Sequence, residues 1–159
     1  MKRYITDKQN RRYEIVRDDY DWGFRIWVHR YRAFDHTVVG WLWCRYLDTD
    51  HWQLSDIVLH DPARCRPRGL AKYLPFYSRA FCPRNYRRRG LGTKLLRAFI
   101  GLARMMEVKV ITGEVKNQGL IDNPKLLEWY QRHGFKVMME PDPGCKPTDT
   151  LATIRLGLE

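Results

Sequence analysis

Long apolar segments are missing from this 159-residue sequence. No run approaches the roughly 18 apolar residues that a membrane-spanning helix needs. The first residues also lack the apolar stretch of a secretory signal. We therefore predict a cytoplasmic protein with no membrane partner.

Cysteine is scarce, and the four residues stand far apart: Cys44, Cys65, Cys82 and Cys145. They form no C-x-x-C pair and have no histidine at ligand spacing, which argues against a zinc site and against a disulfide framework. We expect free thiols and no bound metal. Cys44 and Cys82 lie in strand-like apolar runs, where a buried, unreactive thiol is the usual role.

Acidic residues are outnumbered, because 18 Asp and Glu face 29 Lys and Arg and leave a net charge of +11. A surface of this sign favours anionic ligands, but it does not choose among nucleic acid, a polyphosphate coenzyme, an acidic protein and simple solvation. Internal repeats, low-complexity tracts and long polar linkers are also missing, and 44% hydrophobic content suffices for a core. We predict one domain over residues 1–159.

The first half of the chain has the pattern of β-strands. Branched and aromatic residues, partly alternating with polar ones, predict an antiparallel meander of strands at residues 13–17, 24–31, 37–47 and 52–59. Residues 60–75 hold three prolines and follow no hydrophobic period, which indicates a long loop. A further strand is predicted at residues 77–82.

From Leu91 the hydrophobic period changes to about 3.6 residues, which predicts an amphipathic helix. Its apolar stripe comprises Leu91, Leu95, Phe99, Leu102 and Met106, and its polar face comprises Lys94, Arg97, Gly101 and Arg104. Residues 108–112 then have the pattern of a buried strand. Strand 77–82, the helix and this strand would thus form a parallel βαβ crossover.

The C-terminal part predicts a second helix and two strands. The helix is expected at residues 124–132, with Asn123 as its N-cap and Gly134 at its end. Strands are expected at residues 135–138 and 150–158. The whole pattern indicates a mixed α/β fold.

The turn that leads into the first helix, Arg87-Arg88-Arg89-Gly90-Leu91-Gly92, has the composition of an anion-binding site. Its glycines leave room for a phosphate, and the helix dipole adds positive potential at the same point. A Rossmann motif is excluded because the third glycine would fall at Leu95, and a P-loop is excluded because no Gly-Lys-Ser/Thr follows. A tight turn with solvated arginines is the structural alternative.

Two blocks of residues resemble the GNAT superfamily of N-acetyltransferases. Arg87-x-x-Gly90-x-Gly92 resembles its (Gln/Arg)-x-x-Gly-x-(Gly/Ala) signature, and Asn123, Tyr130 and Gly134-Phe135 resemble its later Asn…Tyr-x-x-x-Gly-Phe block. The resemblance covers roughly residues 77–138. It implies a mixed, mostly antiparallel sheet that is flanked by helices and splayed open between two parallel strands, with acetyl-CoA in the gap.

The resemblance implies an enzyme that uses acetyl-CoA as co-substrate to acetylate a primary amine. Backbone groups of residues 88–93 would hold the pyrophosphate, and the end of the preceding strand would bind the pantetheine and acetyl group. The implied coenzyme-binding residues are Phe81, Cys82, Arg87, Arg88, Arg89, Gly90, Leu91, Gly92, Thr93 and Asn123. We further expect that Arg84 or one of the arginines 87–89 reaches the 3′-phosphate.

Tyr130 matches the tyrosine that protonates the departing thiolate in many members of the family. A phenol of pKa about 10 is protonated at neutral pH and therefore suits a general acid, although a core tyrosine is the alternative. Candidates for a general base are Asp56, His60 and Glu114. For each of these three a plain surface or core role stays open.

The sequence departs from the family's pattern in several places. Residues 1–36 show no convincing helix, so the acceptor site would be built differently, and segments 60–77 and 114–122 look long enough to shape it. Leu126 stands where alanine is common, which argues against close packing of that helix on the coenzyme.

Two other functions stay open. Residues 25–32 interleave aromatics with arginines, as in a nucleic-acid-binding module, although an amphipathic sheet face has the same pattern. A GNAT fold that binds acyl-CoA without catalysis is the other alternative. An acidic protein or a nucleic-acid-associated acceptor would suit the positive charge, and the oligomeric state stays open.

Overall fold

The computed structural model describes residues 3–30, 38–59, 90–141 and 146–158. Within these ranges the chain forms eight strands and three helices, in the order β1 (Arg3–Thr6), β2 (Arg12–Tyr20), β3 (Gly23–Arg30), β4 (Val38–Tyr46), β5 (His51–Leu59), α1 (Leu91–Met105), β6 (Val110–Lys116), α2 (Asn117–Asp122), α3 (Leu126–Gln131), β7 (Lys136–Met139) and β8 (Thr150–Gly157). The four strands predicted in the first half are confirmed. The short β1 was not predicted, and residues 60–89 lie outside the described part.

The strands form one sheet in the order β1-β2-β3-β4-β5-β6-β8-β7. β1, β2 and β3 pair antiparallel, and so do β6, β8 and β7. β5 and β6 pair parallel, in a register that runs from His51↔Val110 to Leu54↔Gly113, while each strand continues beyond it. The predicted mixed sheet with one parallel pair is confirmed.

The neighbours of β6 are described on both sides. β5 pairs with it parallel, and β8 pairs with it antiparallel. Residues 77–82, which we expected as the first strand of a parallel βαβ crossover, lie outside the described residues. That crossover stays a prediction.

The chain divides into two compact units, Met1–Trp43 with Asp56–Phe99, and Cys44–Ser55 with Ile100–Glu159. The organisation as one domain stays a prediction. In the first unit, β3 contributes Phe24, Ile26 and Val28 to the core, and the ring of Phe24 lies 6.1 Å from the ring of Phe99 on α1. Alternating burial along β3 therefore fits the period of two that the sequence showed.

The amphipathic pattern of α1 is confirmed over most of its length. Leu91, Leu95 and Phe99 are fully buried, and the four residues predicted for the polar face are exposed. Met106 is an exception, because the helix ends at Met105 and Met106 is 55% exposed. The apolar stripe was thus extended one turn too far. None of the described helices is both long and apolar enough to cross a bilayer.

In the second unit the core lies around β5, β6 and β8, and it includes Trp52, Leu54, Ile111, Val115, Ala152 and Ile154. Cys44 is fully buried, as predicted, whereas the other three cysteines lie outside the described residues. Val108 is buried but precedes β6, since its N–H bonds the carbonyl of Ala103 instead of a neighbouring strand.

The C-terminal helices begin differently from the prediction. An additional helix, α2, ends at Asp122 with Asn123 as its C-cap, and α3 starts only at Leu126 with Lys125 in the N-cap position. The prediction of Asn123 as N-cap is therefore wrong. Gly134 has φ +88°, and its N–H bonds the carbonyl of Gln131, which confirms the predicted glycine at the end of this helix.

Candidate active site

The turn into α1 depends on a glycine in the left-handed region. Gly90 has φ +78°, a conformation that side-chain-bearing residues rarely adopt. Its carbonyl accepts the N–H of Lys94 over 3.0 Å, so the first helical hydrogen bond closes directly on this turn. Leu91, the next residue, is fully buried and anchors the start of the helix in the core. Gly90 thus forms the turn from which α1 starts.

The start of α1 has the electrostatics of an anion site. N–H groups in the first turn of a helix point along its axis toward the N-terminal end, where the helix dipole is positive. Many helices place a carboxylate there, but the first turn of α1 contains no acidic residue. Gly92 and Thr93 in this turn are partly buried. A ligand phosphate would therefore meet no competing negative charge from the first turn.

Other residues expected to bind the coenzyme lie outside the described part of the chain: Phe81, Cys82, Arg87, Arg88 and Arg89. Their assignment stays a prediction. Asn123 is described and exposed, in the turn between α2 and α3. Its N–H bonds the carbonyl of Gly119, and its own carbonyl accepts the N–H of Leu126 over 2.9 Å. The backbone of Asn123 thus joins the two helices.

Tyr130 lies on α3 and is 8% exposed. Its ring makes edge-on contacts with Trp129, at 4.9 Å between centroids, and with Phe135, at 5.5 Å. The carbonyl of Tyr130 accepts the N–H of His133 and of Phe135, which ties the end of α3 to the residue that precedes β7. Aromatic packing and backbone bonds therefore hold this residue in place.

The helix α2 was not predicted from the sequence. Its presence gives Leu126 a packing partner other than the coenzyme. A Cβ atom added to Gly119 of α2 would lie 3.1 Å from Cδ2 of Leu126. Because Gly119 has no side chain, the leucine has room to pack on α2. The bulk at residue 126 is thus partly accommodated within this helix pair.

Two of the three candidate general bases are described. The protein raises the pKa of one of them, Asp56, and lowers the pKa of the other, Glu114. Burial raises the pKa of Asp56, and a backbone hydrogen bond at Ile57 offsets part of that effect, although the side chain keeps an exposed surface. The hydrogen bond from Lys116 over 2.6 Å lowers the pKa of Glu114, and the charge of Lys116 and a bond with Thr150 lower it further against a smaller effect of burial. His60 lies outside the described residues.

Asp56 lies on the same side of β5 as two buried apolar residues. Asp56 follows Trp52 and Leu54 at intervals of two residues, so these three side chains share one face of β5. Trp52 and Leu54 are each 3% exposed. Asp56 thus continues a face that is apolar up to Leu54, the last residue of the parallel register.

The interleaved segment of β3 is an amphipathic sheet face. Ile26 and Val28 are buried, whereas Arg25 and Trp27 lie half-buried on the other side. The guanidinium of Arg25 stacks on Trp27 and on Trp43, at 4.9 and 4.8 Å from the ring centroids. The ring nitrogen of Trp27 donates to Asp18 over 2.6 Å. On this face the guanidinium of Arg25 therefore packs on tryptophan rings of the protein itself.

Metal ligands are not grouped in the described ranges, where no three His, Cys, Asp or Glu side chains come together as a metal site would require.

No protein-family model and no curated protein matches the sequence. Among solved structures, 110 chains match. A GNAT family acetyltransferase from Elizabethkingia anophelis with acetyl-CoA bound is 14% identical over 86% of this chain and 76% of its own, with a TM-score of 0.53. The ribosomal-protein-S18-alanine N-acetyltransferase from Escherichia coli is 14% identical over 89% and 72%, with a TM-score of 0.55.

A Bacillus subtilis acetyltransferase in complex with CoA gives a similar result, with 11% identity over 87% of this chain and 79% of its own and a TM-score of 0.55. At identities this low the similarity establishes the fold. The chain has the fold of GNAT family acetyltransferases, as the two sequence blocks predicted.

Proposed function

We propose that this protein is an acetyl-CoA-dependent N-acetyltransferase. The observation that carries the proposal is the turn at Gly90, which has a positive φ and opens into a helix whose first turn contains no acid. The chain that carries this turn has the fold of acetyltransferases that have been crystallised with acetyl-CoA or CoA. Fold and local electrostatics therefore support the same coenzyme.

The coenzyme's pyrophosphate would accept hydrogen bonds from backbone N–H groups of residues 90–93, as anions do at helix N-termini. The arginines 87–89 and the pair Phe81 and Cys82 are proposed contacts to the coenzyme phosphates and to its pantetheine and acetyl groups. Asn123 is proposed to contact the pantetheine arm. The resemblance to the GNAT signature supports each of these assignments.

In the proposed reaction the amine nitrogen of the acceptor attacks the thioester carbonyl carbon. The carbon–sulfur bond then breaks, and the electron pair of that bond leaves with the sulfur. Tyr130 would donate its phenolic proton to this thiolate, and the acceptor nitrogen would lose a proton to a base. The products are an amide and free CoA, and orientation of the two substrates supplies much of the acceleration.

Asp56 is the proposed general base. A carboxylate with a raised pKa accepts a proton more readily than an ordinary one, whereas the bond with Lys116 makes Glu114 a weaker base. Of the two candidates that are described, Asp56 is therefore the stronger base. His60 stays an alternative that is not described.

The acceptor is proposed to be an amine on an acidic or nucleic-acid-associated partner, because the net charge of +11 favours such surfaces. One structural neighbour is named for acetylating an alanine of ribosomal protein S18. A cytoplasmic location stays a prediction.

Titration calorimetry with acetyl-CoA tests the proposal. Wild type should bind, and Gly92→Val should bind much more weakly because its side chain would occupy the phosphate's place. Gly101→Val is a matched control, since Gly101 lies in the same helix and an added Cβ there meets nothing within 4 Å. Equal affinities of all three proteins would refute the pyrophosphate assignment.

Two further measurements separate the alternatives. Release of CoA thiol in a screen of amine acceptors distinguishes an enzyme from a non-catalytic acyl-CoA binder. Titration with a fluorescent single-stranded oligonucleotide examines the nucleic-acid-binding alternative, for which Trp22→Ala is an informative variant. Trp22 is 47% exposed and stacks on Tyr20 at 5.3 Å between ring centroids. If a nucleic-acid base stacks on this pair, the variant should bind the oligonucleotide more weakly than wild type does.

A further inference from the structure

The turn between β1 and β2 is held by one buried carboxylate. Asp7 is 4% exposed, and its Oδ1 accepts the N–H groups of Gln9 and Arg11 over 2.8 and 2.9 Å. Its Oδ2 accepts the hydroxyl of the buried Tyr13 over 3.0 Å. A backbone bond from Asp7 to Arg11 closes the turn. These bonds fix the backbone of the residue that lies between them, Lys8.

Lys8 lies against the turn that opens α1. A Cβ atom built on Gly90 would lie 3.6 Å from Cγ of Lys8 and 3.6 Å from its Cε. The aliphatic stem of the lysine therefore runs across Gly90, on the side where a side chain would otherwise stand. The ammonium group is bonded to that Cε, so a positive charge lies beside the N-terminal end of the helix.

In the described part of the chain, no acidic side chain forms an ion pair that would neutralise the charge of Lys8. Asp7, the neighbouring acid, already accepts three hydrogen bonds, and the first turn of α1 contains no acidic residue. Among the described residues no carboxylate forms an ion pair with Lys8, and its side chain is exposed. An exposed ammonium beside a helix N-terminus attracts a polyphosphate.

We propose that Lys8 binds the pyrophosphate of the coenzyme, as a cation that the β1–β2 turn supplies from outside the Arg87–Gly92 block. The inference rests on the proposed function. Gly90 has two roles in it, because its positive φ forms the turn and its missing side chain leaves the space across which Lys8 lies. Lysine acts here as a mobile point charge with three donors.

Calorimetry on Lys8→Met tests the inference, because methionine keeps most of the apolar stem and removes the charge. Losing one charge-assisted contact should weaken acetyl-CoA binding by about tenfold, and Lys8→Arg should restore most of it. Arg97→Met removes one charge from an exposed residue of the same helix, about 10 Å along its axis from Gly90, and should bind as wild type does. Thermal melting verifies that each variant is folded.

Dephospho-CoA identifies the phosphate concerned. If Lys8 binds the pyrophosphate, Lys8→Met should weaken CoA and dephospho-CoA by the same factor. In steady-state kinetics the variant should raise KM and leave kcat unchanged, as for a contact that is equally strong in the ground and transition states.

The affinities of the variants and of wild type distinguish the inference from the proposed function. Wild-type affinity in Lys8→Met, or equal losses in Lys8→Met and Arg97→Met, would overturn the role of Lys8 and leave the proposed function intact. A wild-type protein that binds no acetyl-CoA would overturn the proposed function itself, and the inference with it.

Discussion

The carboxylate of Asp7 accepts a 3.0 Å hydrogen bond from the hydroxyl of Tyr13, and both side chains are almost fully buried. The same carboxylate holds the backbone of the β1–β2 turn through Gln9 and Arg11. One acidic side chain therefore links the first hairpin to the core of its unit.

Removing this carboxylate should destabilise the protein. Asp7→Ala leaves the buried Tyr13 hydroxyl and two backbone N–H groups without their acceptor, which should lower the free energy of unfolding by about 1–3 kcal/mol at pH 7. Urea unfolding measures the loss. Asp21→Asn, in the exposed turn between β2 and β3, is the control and should change stability little.

The loss of unfolding free energy in Asp7→Ala should also depend on pH. Burial raises the pKa of Asp7, but the hydrogen bonds from Arg11, Gln9 and Tyr13 and the charge of Arg11 outweigh it and leave the pKa below its ordinary value of 3.8. A lowered pKa in the folded state means that the contribution is complete above that ordinary value and is lost as the pH falls through the folded pKa. The difference between wild type and Asp7→Ala should therefore shrink below about pH 4. A constant difference down to pH 2 would contradict this assignment.

Gly113 should not tolerate a side chain. A Cβ atom there would lie 2.8 Å from the carbonyl oxygen of Leu54 and 3.1 Å from the side chain of Ile154. Gly113→Ala must therefore displace the parallel partner strand, at a cost of about 1–3 kcal/mol in the free energy of unfolding. Gly157→Ala is the matched control, because an added Cβ in this strand position meets nothing within 4 Å. Equal melting temperatures for the two variants would show that the sheet adapts to the alanine.

Tyr130→Phe should lower the rate of acetyl transfer without an equal loss of coenzyme affinity. The variant removes the proposed proton donor and keeps the ring that packs on Trp129 and Phe135. General acid catalysis contributes roughly 10²- to 10⁴-fold, so kcat should fall within that range if the chemical step limits turnover. Thiol release at saturating acetyl-CoA measures kcat. If Tyr130→Phe turned over at the wild-type rate, Tyr130 would have only a packing role. The general acid would then be water or another group.

Asp56→Asn should slow transfer, whereas Glu114→Gln should leave the rate nearly unchanged. A general base works only when deprotonated, so activity should fall as the pH decreases through the pKa of Asp56. Burial raises that pKa, and the decline should therefore begin at a higher pH than for an ordinary carboxylate. The profile of kcat/KM against pH measures it. An unchanged acidic limb in Asp56→Asn would exclude Asp56 as the base.

Local signals in the sequence were sufficient for much of the fold. Alternating apolar residues identified β2 to β5, and the 3.6-residue period identified α1 because its buried face recurs along fifteen residues. Helix ends were less predictable. Asn123 has the composition of an N-cap, but the backbone turns there from α2 into α3, and a capping preference is weaker than the packing of two short helices.

By itself, then, the sequence determined most of the strands, where the main helix begins, and that a glycine turn stands at its start, because these depend on side-chain periodicity and local backbone preference. Only the tertiary structure decided which strands are neighbours, so that β5 lies parallel to β6 and β8 lies antiparallel to it. It also decided that the stem of Lys8 crosses Gly90 and that the pairing of β6 with β8 brings Thr150 onto Glu114. Such contacts join residues far apart in the chain, and a pattern confined to one segment carries no information about what another segment places against it.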